Sequence, residues 1–167
     1  MKNHFLISFL FIIIYLGLNY SLFSQEYIKV NIDEVNIRFS SNNSSAFVAK
    51  GMKGDIFKLE ETKGEWYAFY ICSGEYRYIH KSSVQLINSI PLLTSSVETR
   101  KKLFKELFRV EGKAIEEADL KYSNDLDKLI DYQRILEDRY KLIVFRNFSI
   151  PTPYYNKIIT EGATNKW

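Results

Sequence analysis

The chain has 167 residues, of which 46% are hydrophobic and 26% are charged, and its formal net charge is +3. These proportions are typical of a globular protein and exclude a disordered, collagen-like or multi-span membrane chain. A single cysteine excludes an internal disulfide, and two histidines exclude a histidine-based metal cluster. The small positive charge is too weak for a nucleic-acid footprint, so no nucleic acid is expected as a partner.

Residues 1–24 have the pattern of an export signal. Lys2 precedes an apolar run over residues 5–18, and a basic start followed by about 7–15 apolar residues is typical of a secretory signal peptide. Cleavage after Ser24 would leave a small residue before the cut. The alternative is an uncleaved anchor formed by residues 5–23, which as a helix would span roughly 28 Å. Both interpretations predict an exported protein, either periplasmic or secreted, or held at the membrane.

Residues 25–90 have the alternation and the turn residues of short β-strands. Turn residues recur at intervals of about 8–12 positions, which is typical of a small barrel or sandwich. The segments richest in strand formers are residues 27–32, 35–38, 47–49, 56–59, 66–71 and 76–80. Ser73 and Gly74 predict a two-residue turn between the last two of these strands.

Residues 91–167 are expected to be helical, and Pro91 marks the boundary because proline disfavours helix in the residue before it. Ser95 and Glu98 are spaced as the two partners of a capping box at the start of the first helix. Gly112 is expected to stop or kink that helix. Ser123 is then expected to cap a further helix over about residues 124–145.

The helix expected over residues 124–145 has two contrasting faces. The apolar face comprises Leu126, Leu129, Ile130, Leu136, Tyr140, Ile143 and Val144. The opposite face comprises Asp127, Asp131, Arg134, Asp138 and Lys141. Glu137 and Lys141, four positions apart, are expected to form a favourable ion pair. The apolar spacing also fits heptads, but it covers too few of them to indicate a coiled coil.

Five segments between residues 27 and 87 follow a recognisable order. They are Val35-Asn36-Ile37-Arg38, the polar loop of residues 40–45, Met52-Lys53-Gly54-Asp55, Gly64-Glu65-Trp66-Tyr67-Ala68-Phe69, and Arg77-Tyr78-Ile79-His80-Lys81-Ser82-Ser83-Val84. In this order and spacing they resemble the bacterial SH3 domain family, SH3b. The resemblance implies a small SH3-like β-barrel at 25–90. With the α-helical tail that the periodicity predicts at 91–167, the expected class is α+β.

The resemblance also implies a function. Trp66 and Tyr78 occupy aromatic positions that help to line the ligand groove of SH3-like folds, and His80 matches the closing strand. Family members commonly accompany cell-wall hydrolases, so the implied function is an exported, non-catalytic binding or adaptor module. Its partner would be a cell-wall peptide or glycan, or another envelope protein. Two residues depart from the pattern, since Arg77 replaces a glycine and Ser83 replaces an aromatic residue.

A second interpretation is a structural or assembly protein, in which the tail helices form a homo-oligomer or dock a partner. An enzyme is not expected. The predicted turn pairs Tyr67 with His80 and Phe69 with Tyr78, which puts the Cys72 thiol roughly 16 Å along the strand from the imidazole. Nucleophilic catalysis needs a base within hydrogen-bond reach of the nucleophile. The sequence therefore predicts no catalytic residues, metal or cofactor.

The predicted hairpin is also unusually aromatic. Its aromatic residues are Trp66, Tyr67, Tyr70, Tyr76 and Tyr78. Because side chains alternate between the two faces of a strand, some must point inward and some outward. One interpretation is a core with ordinary cross-strand pairing. The other is an exposed aromatic patch that binds a peptide or a sugar.

Overall fold

The computed structural model describes residues 26–167, so the expected signal or anchor segment lies outside the described residues. Within this range, eight strands precede three α-helices, which confirms the expected α+β class. The strands are β1 (Tyr27–Val30), β2 (Glu34–Arg38), β3 (Phe47–Met52), β4 (Ile56–Lys58), β5 (Glu61–Lys63), β6 (Trp66–Tyr70), β7 (Tyr76–His80) and β8 (Val84–Ile87). The helices are α1 (Val97–Tyr122), α2 (Leu126–Asn147) and α3 (Tyr155–Ala163), with short 3-10 helices at Lys81–Ser83 and Thr152–Tyr154.

The strands form two antiparallel sheets. One has the order β4–β1–β8, and the other has the order β3–β2–β7–β6–β5. In the first sheet Tyr27 lies opposite Ile87 and Val30 lies opposite Val84, so the first and last strands are neighbours. The pairing defines two sheets, and no closed barrel is seen among residues 26–167.

The sheets and the helices share buried residues. One core cluster comprises Ile28, Val30, Ile37, Val48, Ala49, Phe57, Phe69, Ile71, Ile79, Val84 and, from α2, Leu142. A second comprises Leu103, Leu107, Val110, Val144, Phe145, Ile150 and Ile158. Cys72 packs against both clusters. The helical part therefore buries its apolar face against the β-strands and not only against itself.

The turn between β6 and β7 differs from the expected one. Trp66 lies opposite His80, Ala68 opposite Tyr78 and Tyr70 opposite Tyr76, so the predicted pairing of Tyr67 with His80 is wrong by one residue. The turn contains residues 71–75 and not just two residues, because backbone N–H groups in it bond to a carboxylate from α2. A shift of one residue exchanges the two faces of a strand, and this matters for the candidate site.

Helix α1 is longer than its sequence suggested. It continues through Gly112, which was expected to stop or kink it, and buries Val110, Ala114 and Ala118 in one row. Nothing lies within 4 Å of the place where a Cβ would stand at Gly112, so this glycine serves no close packing. The capping residue is Ser96, whose Oγ accepts a hydrogen bond from the N–H of Thr99 at 3.1 Å. The predicted capping box that begins at Ser95 is therefore shifted by one residue.

Helix α2 begins after Asp125, which caps it by accepting a hydrogen bond from the N–H of Lys128 at 3.2 Å, so the predicted Ser123 cap is wrong. Asp138 and Lys141, on the face opposite the expected apolar one, are buried. The helix lies between the β-strands and α1, so more than one of its faces is covered. Lys141 pairs with Glu111 of α1 at 2.9 Å and not with the expected Glu137.

Candidate ligand-binding surface

The strands β6 and β7 carry an aromatic face on the side away from the core. Phe69 and Ile79 point into the first core cluster, together with partly buried Tyr67. The alternate residues lie on the other face, where the opposed pairs Trp66–His80 and Tyr70–Tyr76 bring their rings together. These residues are Trp66, Tyr70, Tyr76, Tyr78 and His80. All three residues expected to bind ligand, namely Trp66, Tyr78 and His80, are thus on one face of one hairpin.

Two exposed tyrosines form the most accessible part of this face. The rings of Tyr70 and Tyr76 are stacked at a centroid distance of 4.8 Å with 12° between their planes. They are 38% and 39% exposed. Tyr78, half-buried, continues the row at 6.4 Å from Tyr76, and the ammonium of Lys63 lies 5.8 Å from the centre of its ring. We refer to Tyr70, Tyr76 and Tyr78 as the tyrosine surface.

Trp66 and His80 support this surface from one end. Their rings meet edge to face at a centroid distance of 5.2 Å, and Trp66 is only 8% exposed. His80 Nδ1 accepts a hydrogen bond from the N–H of Ser82 at 3.3 Å, which caps the short 3-10 helix. A neutral ring in this arrangement carries its proton on Nε2. The structure therefore places Trp66 below the accessible surface and gives His80 a local structural contact.

The tyrosine surface can both stack and form hydrogen bonds. Hydrogen bonding with Tyr76, followed by burial, raises the pKa of Tyr70 to about 12, so its hydroxyl keeps its proton to a more alkaline pH than a free tyrosine does. Charged groups flank the surface, with Lys58 paired to Glu60 at 2.8 Å. Flat aromatic faces beside hydroxyl and charged groups are suited to sugar rings and to extended peptides.

Cys72 and His80 lie at opposite ends of the hairpin. His80 is opposite Trp66 at the start of β6, whereas Cys72 lies in the turn beyond the end of β6 at Tyr70. The four steps from Trp66 to Tyr70 alone span roughly 13 Å. Burial, and then the negative charge of Asp138, raise the pKa of the Cys72 thiol well above its usual range. The thiol is thus protonated at neutral pH and is not placed beside the imidazole.

The two departures from the SH3b pattern both lie at buried positions. Arg77 is buried, and its Nε donates to Asp138 of α2 at 2.7 Å. Ser83 is buried in the 3-10 helix, and its carbonyl accepts a hydrogen bond from the N–H of Asn31 at 3.1 Å. Sequence reasoning missed Asp138, because a charged residue on a helix normally faces solvent. The sequence signal that could have pointed to a buried partner such as Asp138 was Arg77, which stands where the SH3b pattern has a glycine.

Comparison of the chain with known proteins does not identify a family for it. No protein-family model matches the chain, and no curated protein matches it. Within residues 26–167, no group of three or more His, Cys, Asp and Glu side chains is placed to hold a metal ion. In the same part of the chain, no helix is both long enough and apolar enough to cross a membrane.

Proposed function

We propose that this protein is an exported, non-catalytic binding module whose tyrosine surface binds a peptide or glycan of the cell envelope. The observation that carries the proposal is the stacked, accessible pair of Tyr70 and Tyr76. Exposed tyrosines supply a large contact area with few rotatable bonds, and for this reason they are enriched in binding sites. The raised pKa of Cys72 and its distance from His80 support a non-catalytic role.

An SH3-like barrel is the fold that we propose for residues 25–90. The neighbouring positions of β1 and β8 support it, because closing a small barrel brings its first and last strands together. Strands β4 and β5 are separated only by Leu59 and Glu60, yet they belong to different sheets. A chain that passes directly from one sheet into the next is the arrangement that a small barrel requires.

Retention on purified peptidoglycan tests the binding proposal. We expect the wild-type protein to be retained and Tyr76→Ala to lose roughly tenfold or more in affinity, because truncating an aromatic anchor typically costs about 2 kcal/mol. Tyr132→Ala is the matched control and should bind normally, because the Tyr132 ring on α2 contacts Tyr122 and Lys121 of α1. Equal retention of wild type and Tyr76→Ala, with both folded, would contradict the proposal.

The role of Trp66 cannot be tested in the same way as that of the tyrosines. Because Trp66 is buried, we expect Trp66→Ala to lose roughly 3–5 kcal/mol of stability. Weaker binding by this variant would therefore reflect unfolding and not the loss of a ligand contact. Tyr78→Ala separates the two roles, since Tyr78 is half-buried and its ring lies beside Lys63. Weakened binding by Tyr78→Ala at a nearly normal Tm would support a direct contact with the ligand.

Export is a separate part of the proposal. We expect the mature protein to begin near Gln25, and the intact mass of protein recovered from outside the cytoplasm tests this. A full-length mass together with retention in the membrane fraction would favour the anchor over residues 5–23. Recovery of full-length protein in the cytoplasm alone would contradict export in either form.

Assembly through the helices is a second candidate function, and one specific observation favours it. Leu120 and Leu126, on either side of the turn between α1 and α2, are 85% and 68% exposed. We expect sizing of the purified protein to show a dimer or larger species that Leu126→Lys disrupts. Leu92→Lys, in the linker before α1 and as exposed as Leu120, is the control. A monomer at all concentrations would exclude this candidate.

A further inference from the structure

A cleft lies where the β-strands meet the end of α2, on elements that the tyrosine surface does not use. Its volume is about 420 Å³, which is within the usual range of small-molecule sites. Lys29 of β1 and Lys53 of the turn after β3 both line it. The apolar part of the lining comes from Leu142, Phe145 and Ile150.

The acidic group in this cleft is already neutralised. Asp55 accepts hydrogen bonds from Arg146 through Nη2 at 2.6 Å and through Nε at 3.1 Å. The same carboxylate accepts a hydrogen bond from the N–H of Met52 at 2.8 Å. Asp55 and Arg146 therefore cancel each other, and the remaining charge in the lining is the positive charge of Lys29 and Lys53.

Lys29 has an unusual position for a lysine. It is half-buried, and among residues 26–167 its ammonium group has no hydrogen bond and no ion pair. Lys53 has only a long contact with Asp33, at 3.8 Å, and both side chains are well exposed to solvent. A partly desolvated ammonium group without a counter-charge is unfavourable, so an anion in the cleft would be attracted to it.

Ser149 adds a hydroxyl group to the lining. It adopts φ +54° directly after α2, a left-handed conformation in which glycine is less strained. The helix end still has its hydrogen bonds, since the N–H of Ile150 donates to the carbonyl of Phe145 at 3.1 Å. Together with the hydrogen bond from the N–H of Ser149 to the carbonyl of Arg146 at 3.0 Å, this is a Schellman helix end, which accounts for the left-handed residue. The same turn places Ser149 in the lining of the cleft.

We propose that this cleft binds an organic anion, a carboxylate or a phosphate, that carries an apolar body. The anionic group would lie between Lys29 and Lys53 with the Ser149 hydroxyl as a further donor. The apolar body would cover Leu142, Phe145 and Ile150. This site is distinct from the tyrosine surface, so its occupant is a second ligand and does not depend on the proposed function.

Calorimetric titration of the purified protein with octanoate and with octyl phosphate tests the proposal. We expect saturable binding of at least one of them, and the tighter of the two identifies the anionic group. Octanol carries the same apolar body without charge and should bind at least roughly tenfold more weakly, because a charged hydrogen bond is lost. Equal binding of octanol, or no binding of either anion, would overturn the proposal.

Lys29→Met keeps an unbranched side chain and removes the charge. We expect it to weaken binding of the preferred anion roughly tenfold, while Lys102→Met, at an exposed position of α1 outside the cleft lining, should bind like wild type. If Lys29→Met does not fold, Lys53→Met tests the same site. Lys53 is exposed, so this variant should be as stable as wild type. Unchanged affinity in a folded lysine variant of the cleft would overturn the assignment.

Discussion

Arg77 of β7 and Asp138 of α2 form a buried ion pair, in which the Nε of Arg77 donates to Oδ2 of Asp138 at 2.7 Å. Their side chains are 1% and 0% exposed. The other carboxylate oxygen accepts hydrogen bonds from the N–H of Cys72 at 3.0 Å and of Ser73 at 2.9 Å. The Ser73 hydroxyl donates to Oδ2 at 2.8 Å. One carboxylate thus holds the β6–β7 turn and the helical region together.

We expect Asp138→Ala to destabilise the protein by roughly 3–5 kcal/mol, because removing one partner leaves the Arg77 charge buried and uncompensated. Urea unfolding measures the loss. Asp131→Ala, an exposed position on the same helix, is the control and should change stability by less than about 0.5 kcal/mol.

A double variant tests whether the ion pair itself is responsible. Arg77→Met combined with Asp138→Asn removes both charges and keeps an amide oxygen that can accept from the N–H groups of Cys72 and Ser73. Removing both charges of a buried pair costs less than removing only one of them. We expect the double variant to be more stable than Asp138→Asn alone, in which the Arg77 charge stays buried without a partner. A double variant as unstable as the sum of its two single variants would show that the charges are not coupled.

The strands were predictable because their signals are local. Alternation and turn residues placed β2, β6 and β7 nearly where they lie, since each pattern depends on neighbouring residues. The register of the β6–β7 turn was not predictable, because its N–H groups bond to Asp138, which is 65 positions from Ser73 in the chain. Asp138 and Lys141 were assigned to the wrong environment for a related reason. Their burial depends on partners in other elements that no helical periodicity reveals.

The candidate site was predictable in part. Strand alternation and the SH3b resemblance brought Trp66, Tyr78 and His80 to one hairpin, and the structure places them on one face of it. Which aromatic residues are accessible depends on the register, because a shift of one residue changes every opposed pair. The stacking of Tyr70 on Tyr76 follows from their direct opposition and could not be inferred from the expected two-residue turn.

The contact between α3 and α1 gives a second prediction. A Cβ added at Gly162 would overlap the ring of Phe104, so we expect Gly162→Ala to destabilise the protein by roughly 1–3 kcal/mol through overpacking. Gly112→Ala is the matched control, because no atom lies within 4 Å of its Cβ position. That change should stabilise α1 by about 0.5–1 kcal/mol, since alanine favours helix over glycine. A Tm that shifts in the same direction for both variants would contradict the expectation that only Gly162→Ala causes overpacking.

Cys72 gives a third prediction, on reactivity. Because burial and Asp138 raise its pKa, the thiolate fraction at pH 8 is small, and we expect alkylation much slower than that of the unfolded chain. Only the thiolate is an effective nucleophile. Cys72→Ser should leave retention on peptidoglycan unchanged, since the thiol packs against the two core clusters and is not part of the tyrosine surface. A folded Cys72→Ser variant that loses retention roughly tenfold would contradict the non-catalytic binding role.

Tyr140 links the two long helices and makes stability depend on alkaline pH. Its hydroxyl donates to Glu117 Oε2 at 2.5 Å, and burial together with this hydrogen bond raises the pKa of Tyr140 to about 12. The ordinary tyrosine pKa is about 10. Below that value both the folded and the unfolded chain hold the proton, and the contribution to stability is complete. Between pH 10 and 12 the unfolded chain loses the proton first, so stability falls as the pH rises.

We expect Tyr140→Phe to be less stable than wild type at pH 8 by on the order of 1 kcal/mol, because the hydrogen bond to Glu117 is lost. Between pH 10 and 12 the variant should lose less stability than wild type, since it lacks the titrating hydroxyl. Glu117→Gln is the second test, because it keeps an oxygen acceptor but removes the charge that disfavours tyrosinate. Urea unfolding at each pH gives the free energy of unfolding of all three proteins. The difference between a variant and wild type removes the contribution of lysine titration, because the three proteins have the same lysines. Parallel stability curves for wild type and Tyr140→Phe from pH 8 to 12 would show that Tyr140 titrates alike in the folded and unfolded chains.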